Sequence, residues 1–230
     1  AAGDSYEDTV EVRWPDGSLR AQVTRERIQA LLPWMTLDGS EDGVGALALS
    51  DSGRLLFIAV HDSAAAPDGL PSDAILRYET DTDRLSVFAR LEIAPGVGPW
   101  PHESLAYFRG RLYYAGPGEV RIYRAGADEA PGTLLAVAPY SGGGAVTGLA
   151  IDRLTGTVYT AVGRTLMRSA AGDQFAPVVV GTLPGAVVGL AWSDHYGGPG
   201  QGGLYALDST VSPAVYRLWF IPPAQARGQQ

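Results

Sequence analysis

The stretch "TGLAIDRLTGTVYTAV", residues 147–162, decides how this chain is read. It holds two runs of β-branched, aromatic and small apolar residues on either side of "DRLTG". Apolar runs bounded by Asp and Gly in this way read as strand, turn, strand. What matters next is whether the unit stands alone.

It does not. The pair Leu149-Ala150 recurs as Leu47-Ala48, Leu105-Ala106 and Leu190-Ala191, and a small residue precedes each: Gly148, Ala46, Ser104 and Gly189. Successive leucines stand 58, 44 and 41 residues apart. Each pair leads to a turn ("SDSG", "FRG", "RLTG", "SDHYGGPGQGG") and then to a second apolar run ("LLFIAV", "LYYAG", "VYTAV", "LYALD"). A second marker, two apolar residues before an arginine, ends at Arg77, Arg124, Arg168 and Arg217, with gaps of 47, 44 and 49. It predicts a third strand in each repeat. A fourth is predicted in the first three by "RLSVFARL", "TLLAVAP" and "APVVVGTL". Four short strands repeating about every 45 residues are the signature of a β-propeller blade.

The last repeat stops early. After "VYRLWFIPP" only "AQARGQQ" follows, so its outer strand is missing. The N-terminal segments "TVEVRW" and "SLRAQV", joined by "PDGS", predict a hairpin. "TRERIQALL" after it predicts a short helix begun by Thr24 and stopped by Pro33. An unpaired sheet edge invites aggregation. The N-terminal segment is therefore expected to supply the missing outer strand and close the ring. The expected fold is all-β: a propeller of four-stranded antiparallel blades with four repeats visible, or five if the N-terminal region forms a degenerate blade. Residues 1–42 make the arm, hairpin and helix that complete the last blade, 43–222 the propeller, and 223–230 a polar tail.

The repeat "TGLAIDRLTGTVYTAV" resembles blades of small propellers of the NHL, gluconolactonase and phytase-like kind. Their blades also open on a Gly-Leu-Ala strand and continue into a "LYVA"-like strand. The resemblance covers roughly residues 43–220. It implies the fold and leaves function open, because propellers host many activities.

Composition narrows the function. The 230 residues are 46% hydrophobic and 18% charged, enough to bury a core. A net charge of −8 argues against nucleic acid, which needs a basic face. No apolar run approaches the roughly 20 residues of a membrane span. The absence of Cys excludes thiol catalysis, disulfides and cysteine-based zinc sites. All 17 basic residues are Arg, and without Lys there is neither a Walker phosphate loop nor a Schiff-base lysine. The opening "AAGDSYED" reads as a mature N-terminus left by a signal peptidase, so an exported, periplasmic or extracellular protein is expected.

Propeller geometry sorts the polar residues by face. The start of each first strand, and the link from second to third strand, lie at one face. The positions ringing the channel mouth are then Gly45, Glu103, Thr147 and Val188, preceded by Val44, His102, Val146 and Val187. His61 and Asp62, at the end of the first repeat's second strand, face the same way, as do Asp208 and Arg164. His102, Glu103, His61 and Asp62 are thus the candidate catalytic residues, as a base with an orienting carboxylate. His195 falls on the opposite face, so the three histidines do not converge. Gluconolactonase-like enzymes hold a divalent metal with Glu, Asn and Asp from several blades. This chain has no Asn and offers Gly, Thr and Val beside Glu103, so that site does not carry over, and no metal or cofactor is expected. Asp81 and Asp83 in "YETDTDR" read as a strand-connecting turn, because the Gly and closing Glu of a calcium loop are missing. There is no Gly-x-Ser-x-Gly or His-Glu-x-x-His motif.

The expected function is therefore a non-catalytic exported propeller, an interaction or structural subunit with protein partners in a larger assembly such as a membrane complex. Trp100, Trp192, Trp219, Tyr107, Tyr113 and Tyr114 include candidate anchors. Two alternatives stand beside it: a hydrolase, lactonase or lyase using His102, Glu103 and His61, and a small-ligand binder at the channel mouth.

Overall fold

A computed structural model describes residues 9–37, 42–62, 73–91, 104–116, 118–126, 131–139, 146–172, 175–194, 202–211 and 214–222. The chain divides into two compact units, one of residues 1–101 and 127–132, the other of residues 102–126 and 133–230.

The first unit opens with β1 (Val10–Arg13) and β2 (Leu19–Val23), an antiparallel hairpin with Val10 opposite Val23. Its turn is the "PDGS" of the sequence. Gly17 takes the left-handed φ of 84° and donates to the Trp14 carbonyl, and Asp16 accepts from the Ser18 N–H. Helix α1 (Arg25–Leu31) follows, capped by the Thr24 side chain on the Arg27 N–H. Next comes a four-stranded meander of β3 (Gly43–Leu49), β4 (Leu55–His61), β5 (Ala74–Glu79) and β6 (Arg84–Arg90), in that order across the sheet.

Alternation along these strands decides what each face meets. Ile58 and Val60 of β4, with Ala74, Leu76 and Tyr78 of β5, form one face. Val10, Val23, Ile28, Leu32, Met35 and Leu37 pack on it as a single apolar cluster. Phe57 and Phe88 meet edge-to-face on the other side, with ring centroids 5.0 Å apart. Among the described residues β1 and β2 pair with each other and form a two-stranded sheet of their own. Their side chains cover the first blade. The physical reason lies in the hairpin and helix themselves. Together they carry an apolar stripe, and burying each Val, Ile, Leu or Met side chain is worth about 2 kcal/mol. Edge pairing alone would leave that stripe in water.

The "YETDTDR" turn anchors this packing. Asp81 Oδ2 accepts from Arg54 Nε at 2.6 Å and Oδ1 lies 3.5 Å from Arg20 of β2. Asp83 accepts from Arg27 of α1 at 3.1 Å and from the Tyr78 hydroxyl at 2.9 Å. Both carboxyls are held below their ordinary pKa, Asp81 first by Arg54, and Asp83 first by the Tyr78 hydroxyl and then by Arg27.

The second unit holds three more meanders. The first runs β7 (Ser104–Phe108), β8 (Arg111–Gly116), β9 (Glu119–Arg124) and β10 (Thr133–Pro139). The second runs β11 (Val146–Asp152), β12 (Thr157–Val162), β13 (Thr165–Ala170) and β14 (Val178–Thr182). The third has β15 (Ala186–Ser193), β16 (Gly203–Val211) and β17 (Ala214–Ile221). Each strand pairs antiparallel with the next in sequence. These are the blades of a β-propeller, as expected: three with four strands and one with three among the described residues.

The inner strands β11 and β12 of the second blade in this unit are buried on both faces. Val146, Leu149, Ile151 and Val158 pack with Phe108, Tyr113 and Ile122 of the preceding blade. Ala150, Tyr159 and Ala161 pack with Val187, Leu204 and Ala206 of the following one, where Tyr159 and Trp192 stack at 5.4 Å. The glycine before Leu149-Ala150 now has a cause. A Cβ on Gly148 would lie 3.0 Å from both the backbone N and the Cγ of Leu190, so only glycine lets β11 and β15 approach this closely.

Candidate functional site

The repeat is preserved at the level of hydrogen-bond register. In three blades the first strand carries an irregularity at the same place: between Val44 and Ala46, between Val146 and Gly148, and between Val187 and Gly189. The unpaired residues are Gly45, Thr147 and Val188, the same positions that the sequence places around the channel mouth. A bulge re-aims its side chain, and bulges concentrate beside functional sites. The fourth such position, Glu103, lies outside the described residues, as do its neighbour His102 and the third histidine, His195.

Of the four expected site residues the structure describes two, His61 and Asp62. The two residues are adjacent at the end of a strand, so they point to opposite faces of the sheet. Asp62 turns to the helix side, where its Oδ2 accepts from the Thr36 N–H at 2.9 Å. His61 turns the other way. Its Nδ1 lies 2.9 Å from Oδ1 of Asp73, at the start of β5. Asp73 Oδ1 also accepts from the Asp62 N–H at 3.1 Å. His61, Asp62 and Asp73 are all buried. The carboxylate beside the imidazole is therefore Asp73, which the sequence reading did not single out. The register supplies the missing signal: Val60 faces Ala74, so the next step brings His61 beside Asp73.

In chemical terms, a carboxylate at Nδ1 orients an imidazole and leaves Nε2 as its basic atom. Burial works against its use on a substrate that arrives from solvent. Among the described residues no three His, Asp or Glu side chains gather closely enough to hold a metal ion.

In the second unit Asp208 and Arg164 serve the backbone. Asp208 is fully buried; its Oδ2 accepts from the Gly185 N–H at 2.8 Å, and its Oδ1 lies 3.2 Å from Arg217 Nε. Burial opposes ionisation of this carboxyl, but the Gly185 N–H, the Trp219 indole and Arg217 outweigh it and hold the pKa below the ordinary value. Arg164 Nε donates to the Leu183 carbonyl at 2.8 Å. The two residues tie down the β14–β15 connection from either side.

No protein-family model matches the sequence, and no curated protein matches it. Among solved structures the chain is similar to the β-propeller domain of Cps50 (Swd1) from Myceliophteria thermophila, with 13% identity and a TM-score of 0.49 over 74% of this chain and 49% of that one. It is also similar to a structural-genomics protein of unknown function from Bacteroides thetaiotaomicron, with 15% identity and a TM-score of 0.47 over 77% of this chain and 47% of that one. The chain thus spans about half the length of these structures. No described helix is long and apolar enough to cross a membrane.

Proposed function

We propose that the chain is a non-catalytic propeller module that works by docking to protein partners, as a subunit of a larger, membrane-associated assembly. One observation carries the reading. The described polar side chains that were candidates for chemistry hold the fold together: Asp62 the Thr36 N–H, Asp208 the Gly185 N–H, and Arg164 the Leu183 carbonyl. His61 faces a buried carboxylate. Large apolar side chains such as Val179, Tyr216 and Leu218, by contrast, are given to solvent. That division suits a binding surface better than a reaction centre.

The competing reading is a hydrolase or lactonase, and the His61–Asp73 pair is the observation that favours it. A screen of ester, lactone and glycoside substrates separates the two. The expected result is no turnover above buffer. Turnover that falls about 100-fold in His61→Ala, the scale of a lost general base, would establish the enzyme instead. Export is part of the same proposal. Fractionation of native cells should place the protein outside the cytoplasm, associated with the envelope, and a cytoplasmic pool would contradict it.

A further inference from the structure

We infer that Arg217 is a recognition arginine: its guanidinium, held at Nε by the buried Asp208, presents its two Nη atoms to a carboxylate on an acidic segment of the docking partner. The inference rests on the docking reading for the partner's being a protein, and adds the chemistry that partner carries.

The place of Asp208 in the repeat is the first observation. Phe57, Tyr113, Tyr159 and Tyr205 each face the alanine of a Leu-Ala pair. Three residues further along their strands stand Val60, Gly116, Val162 and Asp208. A charge thus stands in the last blade where the others carry valine or glycine, and it is fully buried. Burying a carboxylate is costly unless it is paired and hydrogen-bonded, and this one is both. Its Oδ2 accepts from the Gly185 N–H at 2.8 Å, and its Oδ1 lies 3.2 Å from Arg217 Nε. The Trp219 ring, with its centroid 6.0 Å from the guanidinium carbon, restricts the arginine further. Among the described residues no acceptor takes the Nη atoms, and the side chain is 39% exposed.

Arg164 is held in the same manner. Its Nε donates to the Leu183 carbonyl at 2.8 Å, its Nη atoms have no acceptor among the described residues, and the residue is exposed. Leu183 and Gly185 belong to one short connection between β14 and β15, so both guanidinium groups are tethered to it. Asp208 neutralises one of the two positive charges. The other stays uncompensated in a chain of net charge −8, which marks the place for an anion.

The anion is a carboxylate for two reasons. Its two oxygens match the parallel N–H donors of a guanidinium fork. A phosphate, by contrast, is usually cradled by free backbone N–H groups. Here the Leu183, Gly185 and Val187 N–H groups already donate to the Arg164 carbonyl, to Asp208 and to the Gly163 carbonyl. Val215, two residues before Arg217 and so on the same face of β17, is exposed and offers an apolar neighbour to the rest of an acidic peptide.

The test follows the arginine Nε–Hε signals of the labelled chain by NMR at about 20 mM salt, where exposed charges are weakly screened. The probes are acetyl-tetraglutamate amide, its tetraglutamine counterpart and inorganic phosphate. Tetraglutamate should shift the Arg217 signal with a Kd of about 1 mM. Tetraglutamine should leave it in place, and phosphate should bind roughly tenfold more weakly. Arg217→Gln keeps a donor for Asp208 and Arg217→Lys keeps the charge, yet each should weaken tetraglutamate binding roughly tenfold, because both lose the fork. Arg164→Gln should weaken it about threefold through lost charge. Arg54→Gln, at an arginine whose Nε rests on the exposed Asp81, should change nothing. Circular dichroism checks that each variant is folded, and the wild-type titrations decide the matter even where one is not. An Arg217 signal that stays unshifted at about 10 mM tetraglutamate overturns the inference. So does full affinity in Arg217→Lys, or phosphate binding as tight as tetraglutamate. Those results leave the docking reading standing, whereas turnover in the substrate screen removes that reading without altering the titration.

Discussion

His61 Nδ1 lies 2.9 Å from Asp73 Oδ1, and both residues are buried. The pair locks the end of β4 to the start of β5. His61→Ala empties a buried site beside Asp73 and should cost about 2 kcal/mol in urea unfolding. Asp73→Asn keeps an oxygen for the Asp62 N–H and should cost less. Equal stability of His61→Ala and wild type would remove the pair from the energetics of the core.

Gly148 and Gly189 occupy equivalent positions of neighbouring blades, yet only the first is crowded. A Cβ on Gly148 meets Leu190 at 3.0 Å, while one on Gly189 meets nothing within 4 Å. Gly148→Val should therefore destabilise by about 2 kcal/mol through overpacking, and Gly189→Ala should be nearly neutral. Thermal melts of the two variants check the contrast; similar losses would mean that β11 and β15 are not in close approach.

The acidic turn predicts a pH dependence with a definite sign. Asp81 and Asp83 have folded pKa values below the ordinary one. Their stabilising contribution is complete above the unfolded value, about 3.9, and is lost as pH falls through the folded value. Melting temperature should decline below about pH 4. High salt at neutral pH should reproduce part of the decline, because these pairs are exposed. The double variant Arg54→Ala, Arg27→Ala removes the arginine partner of each carboxylate and should flatten both responses. A pH profile unchanged in that variant would assign the acid sensitivity elsewhere.

Ile28 is the anchor of α1 on the first blade, buried in the cluster with Leu76 and Tyr78. Ile28→Ala should cost about 3 kcal/mol. Deleting residues 1–23 should be worse, since it removes Val10 and Val23 and uncovers the Ile58, Val60, Leu76 and Tyr78 face. Dye binding and loss of solubility are the expected readouts. A truncated chain as soluble and stable as the full one would refute the covering role of the hairpin.

Much of the fold was legible because two signals were local. Turn chemistry gave the hairpin and the cap at Thr24. The Leu-Ala marker gave the blades, since the pair holds the same register position in the first strand of each, with its alanine opposite Phe57, Tyr113, Tyr159 or Tyr205 of the second. The arginine marker was less faithful. Arg77 and Arg168 occupy the same position in their sheets, but Ile122 and Phe220 take that place in the other two blades. Arg124 and Arg217 are offset, so the spacing was nearly regular for more than one reason. Two things stayed hidden. The His61–Asp73 contact depends on the register across a long connection, and sequence does not print register. The docking of the hairpin is decided by which apolar face needs cover, a three-dimensional quantity.

The position of that hairpin also bears on the order of assembly. A strand at Val10–Arg13 pairing with one at Ala214–Ile221 would have to wait for nearly the whole chain to be synthesised, and would close a loop of that length at an entropic cost that grows with its logarithm. Packing instead on β4 and β5, the N-terminal segment finds its partner within the first part of the chain. Consecutive strands pair throughout the sheets, so contacts stay short in sequence, the condition for rapid folding. A ribosome releasing this chain vectorially can thus complete the apolar cover of the first blade before the later blades emerge, and the nascent protein need not hold a sticky face open while it waits.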